Sequence, residues 1–304
     1  MSVLDTLKKN KLRIITGLIV GIISLFCVIA GGFPLMILAY VFSFFCAKEW
    51  VQILNNKGFY PFLSVILSVN LLFVLVTTFN RLDLMAPAIA FGIIAAFCSV
   101  LFRGRQPYIA NAATTIAGFI YCGWLPCHII MMRRLGTESL GLLSISDNLG
   151  LGFLVLMFFA ILATDIGAYY SGSKFGKRPL CPVVSPKKTV EGAIGGSVFA
   201  LIISLIIGHF INLEWYYSLV AGLLVTVFAQ LGDLCESLIK RDAGVKDSGN
   251  SLPGHGGFLD RVDSFMFSAP VAYYFFKYFV VSHALWYDLL NLIKMGLRVV
   301  GLGN

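Results

Sequence analysis

Between Glu236 and Ser264 the chain reads ESLIKRDAGVKDSGNSLPGHGGFLDRVDS. The stretch gathers the carboxylates Glu236, Asp242, Asp247, Asp260 and Asp263, the cations Lys240, Arg241, Lys246 and Arg261, and a His255-Gly256-Gly257 turn. The segment leading into it, FAQLGDLCESLIKR, sets Asp233, Ser237, Lys240 and Arg241 at i, i+4, i+7 and i+8, which is one face of a helix. Asp260 and Asp263 share a face if a helix begins there. Carboxylates without thiolates and with few histidines favour a hard cation such as Mg²⁺. Gly249, Pro253, Gly254, Gly256 and Gly257 turn the chain tightly and bare N–H groups that can cradle an anion. A lone His255 is weak as a metal ligand and better suited to contacting a phosphate. The plainer alternatives are a solvated charged turn and an interfacial Asp233 paired with Lys240 or Arg241.

A second stretch, ATDIGAYYSGSKFGKRPLCPVVSPKKTVEG, carries Asp165, then Lys174, Lys177 and Arg178 interleaved with Gly172 and Gly176, then Ser185, Lys187, Lys188 and Thr189 ahead of Glu191. Lysines as point charges, two hydroxyls and flexible glycines suit polyphosphate binding. The GxxxxGK[ST] pattern of a P-loop is absent. Ordinary charge bias at a membrane face is the competing explanation for each of these lysines. Carboxylates for a metal, cations for phosphates and a Gly-rich turn are together the equipment of phosphoryl or nucleotidyl transfer, where catalysis is positioning plus charge neutralisation.

The elements that must position these groups are hydrophobic. Of 304 residues, 58% are hydrophobic and only 12% charged, about half the charge of an average soluble domain. Runs of apolar residues recur at 14–31, 33–47, 62–79, 84–102, 108–131, 150–170, 192–211, 215–235 and 264–282. Each reads as a transmembrane helix, because only helices satisfy their backbone in lipid without closing a barrel, and these runs do not alternate at period 2. The second run is short or extends past Trp50. The first follows Lys8, Lys9, Lys11 and Arg13 without a small-x-small cleavage site, so it reads as a retained span. The expected fold is therefore all-α and polytopic, with about nine spans. Its parts are an N-terminal region 1–149, a catalytic region 150–283 with two charged loops, and an amphipathic tail 284–304.

With the N-terminus cytoplasmic, seventeen of the 23 Lys and Arg residues fall in inside loops, leaving Arg81, Arg133, Arg134, Lys277, Lys294 and Arg298 elsewhere. The net charge of +8 then reflects inside loops and anionic headgroups rather than nucleic acid. Seven scattered cysteines without a CxxC pair read as reduced apolar fillers. Gly192, Gly195 and Gly196 permit close helix packing, within the chain or between two copies in a homodimer.

The segment SLIKRDAGVKDSGNSLPGHGGFLDRVD, Ser237 to Asp263, resembles the signature of the phosphatidate cytidylyltransferases, also called CDP-diacylglycerol synthases. That pattern runs Ser-x-apolar-Lys-Arg, four residues, Lys-Asp, then Pro-x-His-Gly-Gly, then Asp-Arg-apolar-Asp, and each position is matched. Gly232-Asp233-Leu234, SPKKTVEG and DIGAYYSGSKFGK are similar to further family features, so the likeness covers Asp165 to Ser264. The resemblance implies that CTP and phosphatidic acid give CDP-diacylglycerol and pyrophosphate in a bacterial inner membrane, with the site facing the cytoplasm. It implies Mg²⁺ and a second cation, held first by Asp233 and Asp260 and then by Asp263 and Asp247. Asp233, Asp260, Asp263, Lys240 and Arg241 would form the catalytic set. Lys187, Lys188, Lys246 and Arg261 would hold phosphates, and His255, Gly256 and Gly257 would shape the nucleotide pocket. Ser185, Thr189, Ser237 and Asp165 complete the substrate-binding set. A transporter with intramembrane carboxylates and another CTP-dependent lipid enzyme remain as rival readings.

Overall fold

The computed structural model describes residues 3–136, 148–251 and 256–282, with side chains from Gly17 onward. His255, the tail at 284–304 and most of the loop after Arg134 lie outside the described residues. Helix follows helix with little between. α1 (Val3–Ala30) and α2 (Gly32–Asn56) are separated at Gly31, whose φ of 65° is a left-handed conformation that favours glycine. α3 (Leu63–Thr78) comes next, and a 3₁₀ turn at Leu82–Leu84 leads into α4 (Met85–Arg103). α5 (Tyr108–Phe119) runs through a π turn (Ile120–Trp124) into α6 (Leu125–Arg133). The second half holds α7 (Leu149–Phe175), β1 (Pro179–Cys181), β2 (Ser185–Thr189), α8 (Val190–Phe210), α9 (Trp215–Asp242) and α10 (Leu259–Phe275), which continues into a π turn at Phe276–Val281.

Each expected apolar run falls on one of these helices. The segments Gly32–Asn56, Leu82–Arg103, Tyr108–Arg133, Leu149–Phe175, Val190–Phe210 and Trp215–Asp242 are long and apolar enough to cross a membrane, while Gly17–Ala30 and Leu63–Thr78 are shorter apolar helices. The chain is an all-α integral membrane protein. Several helices outrun the apolar stretches that mark them. α2 continues through Lys48 and Glu49 because the apolar pattern resumes at Trp50, Val51, Ile53 and Leu54. α9 carries on past the apolar run to Asp242, so Lys240 and Arg241 lie on the same helix as Asp233, as their spacing indicated. The β1–β2 hairpin is an element the sequence analysis missed. It is antiparallel and short, pairing Pro179 with Thr189 and Cys181 with Ser185.

Two buried apolar clusters organise the packing. One joins α2 and α3 to α5, including Trp50, Phe73 and Phe119. The other joins α7 and α9 through Phe153, Met157, Ala221 and Val225. α10 serves both, placing Leu259 and Met266 in the first and Ala269, Ala272 and Tyr273 in the second. α7 and α8 approach at small residues. A Cβ on Gly196 would lie 2.6 Å from the Thr164 carbonyl, and one on Gly192 would lie 2.9 Å from that of Ala168. The glycine stripe of α8 is therefore used inside the chain.

Arg133 and Arg134, which run against the charge bias, also have structural work. Arg133 is buried and donates from Nε to the Val28 carbonyl and from Nη2 to the Ile29 carbonyl, both at 2.9 Å, closing the C-terminal end of α1. Arg134 donates to the Thr78 carbonyl at the end of α3. Helix-end carbonyls have no partner inside their own helix, and a cation there also complements the helix dipole. Arg133→Gln is expected to lower the thermal unfolding midpoint in detergent by the equivalent of about 1.5–3 kcal/mol, the scale of hydrogen bonds from a charged donor. An unchanged midpoint would mean that α1 does not depend on this cap.

Candidate active site

Because α7 to α10 alternate in direction, the C-terminal ends of α7 and α9 meet the N-terminal ends of α8 and α10. The functional residue types collect at that end. Thr189 caps α8, its Oγ1 accepting the Gly192 N–H at 3.1 Å. Glu191, in the first turn, accepts the Lys177 and Arg178 amides at 3.0 and 3.2 Å and so pins the turn that enters the hairpin. The tip of the hairpin is tied to α9, since Arg241 Nε donates to the Val184 carbonyl at 3.4 Å. Arg241 thereby engages backbone, and its Nη1 also donates to the Val245 carbonyl at 3.1 Å.

Side chains alternate along a strand, and β2 uses this to separate its two lysines. Lys187 is exposed, whereas Lys188 is half-buried and forms an ion pair with Asp233 of α9. The other Asp233 oxygen accepts from Ser237 Oγ at 3.4 Å. Asp233 thus pairs with neither Lys240 nor Arg241, the partners its helical face offered. Those residues lie seven and eight positions further on, about 10 Å along the axis. Gly232 lets α10 come close here, because a Cβ would stand 2.6 Å from the Asp263 carbonyl. Asp165 and Asp263 both lie within the electrostatic reach of Asp233 and Lys188. Three carboxylates and one lysine therefore share one region.

A second ion pair lies between α9 and α10. Lys240 Nζ is 2.5 Å from Asp260 Oδ1 and 2.5 Å from Glu236 Oε2. Asp260 Oδ2 accepts the Ser248 amide and the Ser248 hydroxyl, each at 3.0 Å. Gly257 makes room, since an added Cβ would meet Asp260 Oδ2 at 2.7 Å and the Gly249 amide at 2.8 Å. Gly256 has φ 85°, again a conformation that favours glycine. Lys246, Asp247 and Arg261 are exposed, and Ser185 is half-buried at the start of β2.

Two buried polar residues, Glu49 and Tyr121, escaped the sequence analysis. Glu49 is 1% exposed, as is Glu236, which the sequence showed only as one of the carboxylates of the charged stretch. Tyr121, in the π turn between α5 and α6, is buried, and its hydroxyl has no hydrogen-bond partner among the described residues. The available signal for Glu49 was a carboxylate in a hydrophobic helix whose only other charged residue is Lys48, while Tyr121 is marked only by the π turn, a feature of the structure that recurs at functional sites.

Among the described residues no three acids, imidazoles or thiols stand together as a metal-binding group. Asp233, Asp260, Asp263 and Asp247 therefore do not form a single four-ligand cage. The donors available are nonetheless hard carboxylate oxygens, and Mg²⁺ commonly takes only one or two of these beside water and substrate phosphates. In that sense the donor chemistry fits.

The matching protein-family model is described as the cytidylyltransferase family and covers residues 11–279. Curated relatives agree. A Bacillus subtilis protein named phosphatidate cytidylyltransferase is 36% identical over 278 residues, covering 88% of this chain and 98% of the relative. One of the same name from Staphylococcus saprophyticus is 36% identical over 268 residues, covering 86% and 96%. The Arabidopsis thaliana protein named phosphatidate cytidylyltransferase 5, chloroplastic, is 34% identical over 292 residues, covering 88% and 72%. The match extends well into the first half, beyond the segment whose motifs resembled the family. A family match over most of the length, together with these relatives, establishes that the chain belongs to the cytidylyltransferase family.

Proposed function

We propose that this nucleotidyltransferase joins CTP to phosphatidic acid, giving CDP-diacylglycerol and pyrophosphate, at the end of the bundle where α7 to α10 meet. The observation that carries the reading is the pair of lysine–carboxylate contacts, Lys188 with Asp233 and Lys240 with Asp260, at that one end. A phosphate oxygen of the lipid is already anionic and can attack the α-phosphorus of CTP directly. A new P–O bond forms, the bond to the β-phosphate breaks, and pyrophosphate leaves. No strong general base is needed, and the obstacle is repulsion between two polyanions.

Lys188 and Lys240 answer that repulsion. Each is held near a carboxylate and can turn toward a phosphate when substrate arrives. The N-terminal end of α8 adds a favourable dipole for an anion. Exposed Lys187, Lys246 and Arg261 draw the nucleotide toward the site. Mg²⁺ would be held by Asp233 and Asp260, with Asp263 nearby, and would supply charge neutralisation on the phosphates. A second cation beside it is part of the same reading. Exposed Ile166, Tyr169 and Tyr170 beside Asp165 offer the lipid a lateral approach along α7. The distribution of Lys and Arg supports a site facing the cytoplasm, and the bacterial relatives support a bacterial inner membrane.

Purified protein given phosphatidic acid and CTP labelled at the α-phosphorus should produce lipid-soluble label, whereas label at the γ-phosphorus should stay in the aqueous phase. A lipid kinase would reverse the pattern, and a transporter would yield neither product.

The hairpin geometry divides the two lysines. Lys188→Arg should reduce kcat/KM about ten- to a hundredfold, the cost of about 1.5–3 kcal/mol for one misplaced charged contact. Lys187→Arg should remain close to the parent. Equal behaviour of the two variants would contradict the assignment of Lys188. For orientation, Gly249 has no room for a side chain beside Glu49, so exposed Asn250 is the better probe. With the native cysteines removed, Asn250→Cys should react with an impermeant thiol reagent from the cytoplasmic side only. Labelling from outside intact cells would overturn the orientation.

A further inference from the structure

We propose that Glu49, a residue of α2 far from the motif region, is a positioning residue for Asp260 and for the Gly-rich turn before it. This rests on the cytidylyl-transfer reading above. Glu49 Oε1 accepts the Phe258 amide at 2.8 Å, and Oε2 accepts the Leu259 amide at 2.8 Å and the Ser248 hydroxyl at 2.7 Å. Its carboxylate is thus seated on the N-terminal end of α10, where exposed N–H groups and the helix dipole favour an anion. Three donors satisfy a group that is 1% exposed.

Ser248 links this carboxylate to the candidate site. Its single hydroxyl proton lies between two acceptors, Glu49 Oε2 at 2.7 Å and Asp260 Oδ2 at 3.0 Å, while its amide donates to the same Asp260 oxygen at 3.0 Å. Asp260 Oδ2 is therefore fixed from behind, and Oδ1 is left to face Lys240. Two glycines keep the network compact. A Cβ on Gly249 would lie 2.8 Å from Glu49 Oε1, and one on Gly257 would lie 2.7 Å from Asp260 Oδ2. The Phe258 and Leu259 amides are occupied by Glu49 and are not available to a substrate phosphate. In this way the first half of the chain sets the geometry of a carboxylate in the second half.

Glu49→Gln keeps the volume but replaces one acceptor oxygen with a donor that faces other donors. It should lower kcat about 10- to 100-fold, the usual cost of losing an outer partner of a site ligand, with KM for CTP little changed. Ser248→Ala removes the link while leaving both helix-end amides on Glu49. It should lower kcat in the same way without increasing hydrogen exchange at the Phe258 and Leu259 amides, whereas Glu49→Gln should increase that exchange. Combining the two variants should cost little more than Glu49→Gln alone, because both act through Asp260. Parent-like kcat in a folded Glu49→Gln or Ser248→Ala variant, or fully multiplicative losses in the double variant, would overturn the proposal. If Glu49→Gln does not fold, Ser248→Ala decides alone: a loss of kcat at unchanged KM and unfolding midpoint supports the proposal, and parent-like kcat refutes it. A parent protein that transfers no α-label removes the functional reading itself, which these variants do not test.

Discussion

A carboxylate at the edge of a hydrocarbon layer cannot be left without a partner, because water there is scarce and an uncompensated charge is costly. The described site follows from that constraint. Asp233 is answered by Lys188 from the hairpin, Asp260 by Lys240 from α9, and Glu49 by the amides that open α10. The hydrogen-bond partners of the Glu49 carboxylate lie 199 to 210 residues away, and Lys188 is 45 residues from Asp233 in sequence. The charge pattern therefore exists only when the helices are assembled, and assembly in turn is favoured by the pairing. Lysines that neutralise carboxylates in the resting protein are also well placed to meet phosphates.

Close approach of helices makes the pairing possible. Gly196 admits α7 to α8, Gly232 admits α10 to α9, and Gly257 admits the turn to Asp260. A methyl group at any of these positions would meet backbone or carboxylate atoms at less than ordinary contact distance. In lipid there is little hydrophobic drive between helices, so such small-residue contacts carry much of the association. α10 then acts as the shared wall of two apolar clusters while presenting Asp260 and Asp263 from its first two turns. A displacement of either cluster would move those carboxylates.

Much of this was legible in the sequence because it is local. The apolar runs mark helices by composition alone, and Asp233 and Ser237 meet at i, i+4 as helical spacing requires. What was not legible depends on contacts between distant segments. Nothing local distinguishes Lys187 from Lys188; the short two-stranded hairpin does so by alternation. Arg133 and Arg134 read as charge-bias exceptions until their helix-end carbonyl partners are known. Glu49 sits where one apolar run pauses before Trp50, so its place on α2 was open to reading, but its meeting with α10 is a tertiary fact. The motif segment shows which chemistry is present, while the first half of the chain governs where that chemistry is held.

The central claim is that the two ion pairs at this end of the bundle form a single reaction site. The most direct measurement is turnover of Asp233→Asn, Asp260→Asn and the double variant, each purified at a parent-like unfolding midpoint, with α-labelled CTP and phosphatidic acid. Groups that act as a unit lose function non-additively. Each single variant should therefore abolish nearly all transfer, and the double variant should be hardly worse than either. Near-parent turnover in either single variant, or losses that multiply in the double variant, would contradict a single site built on these carboxylates.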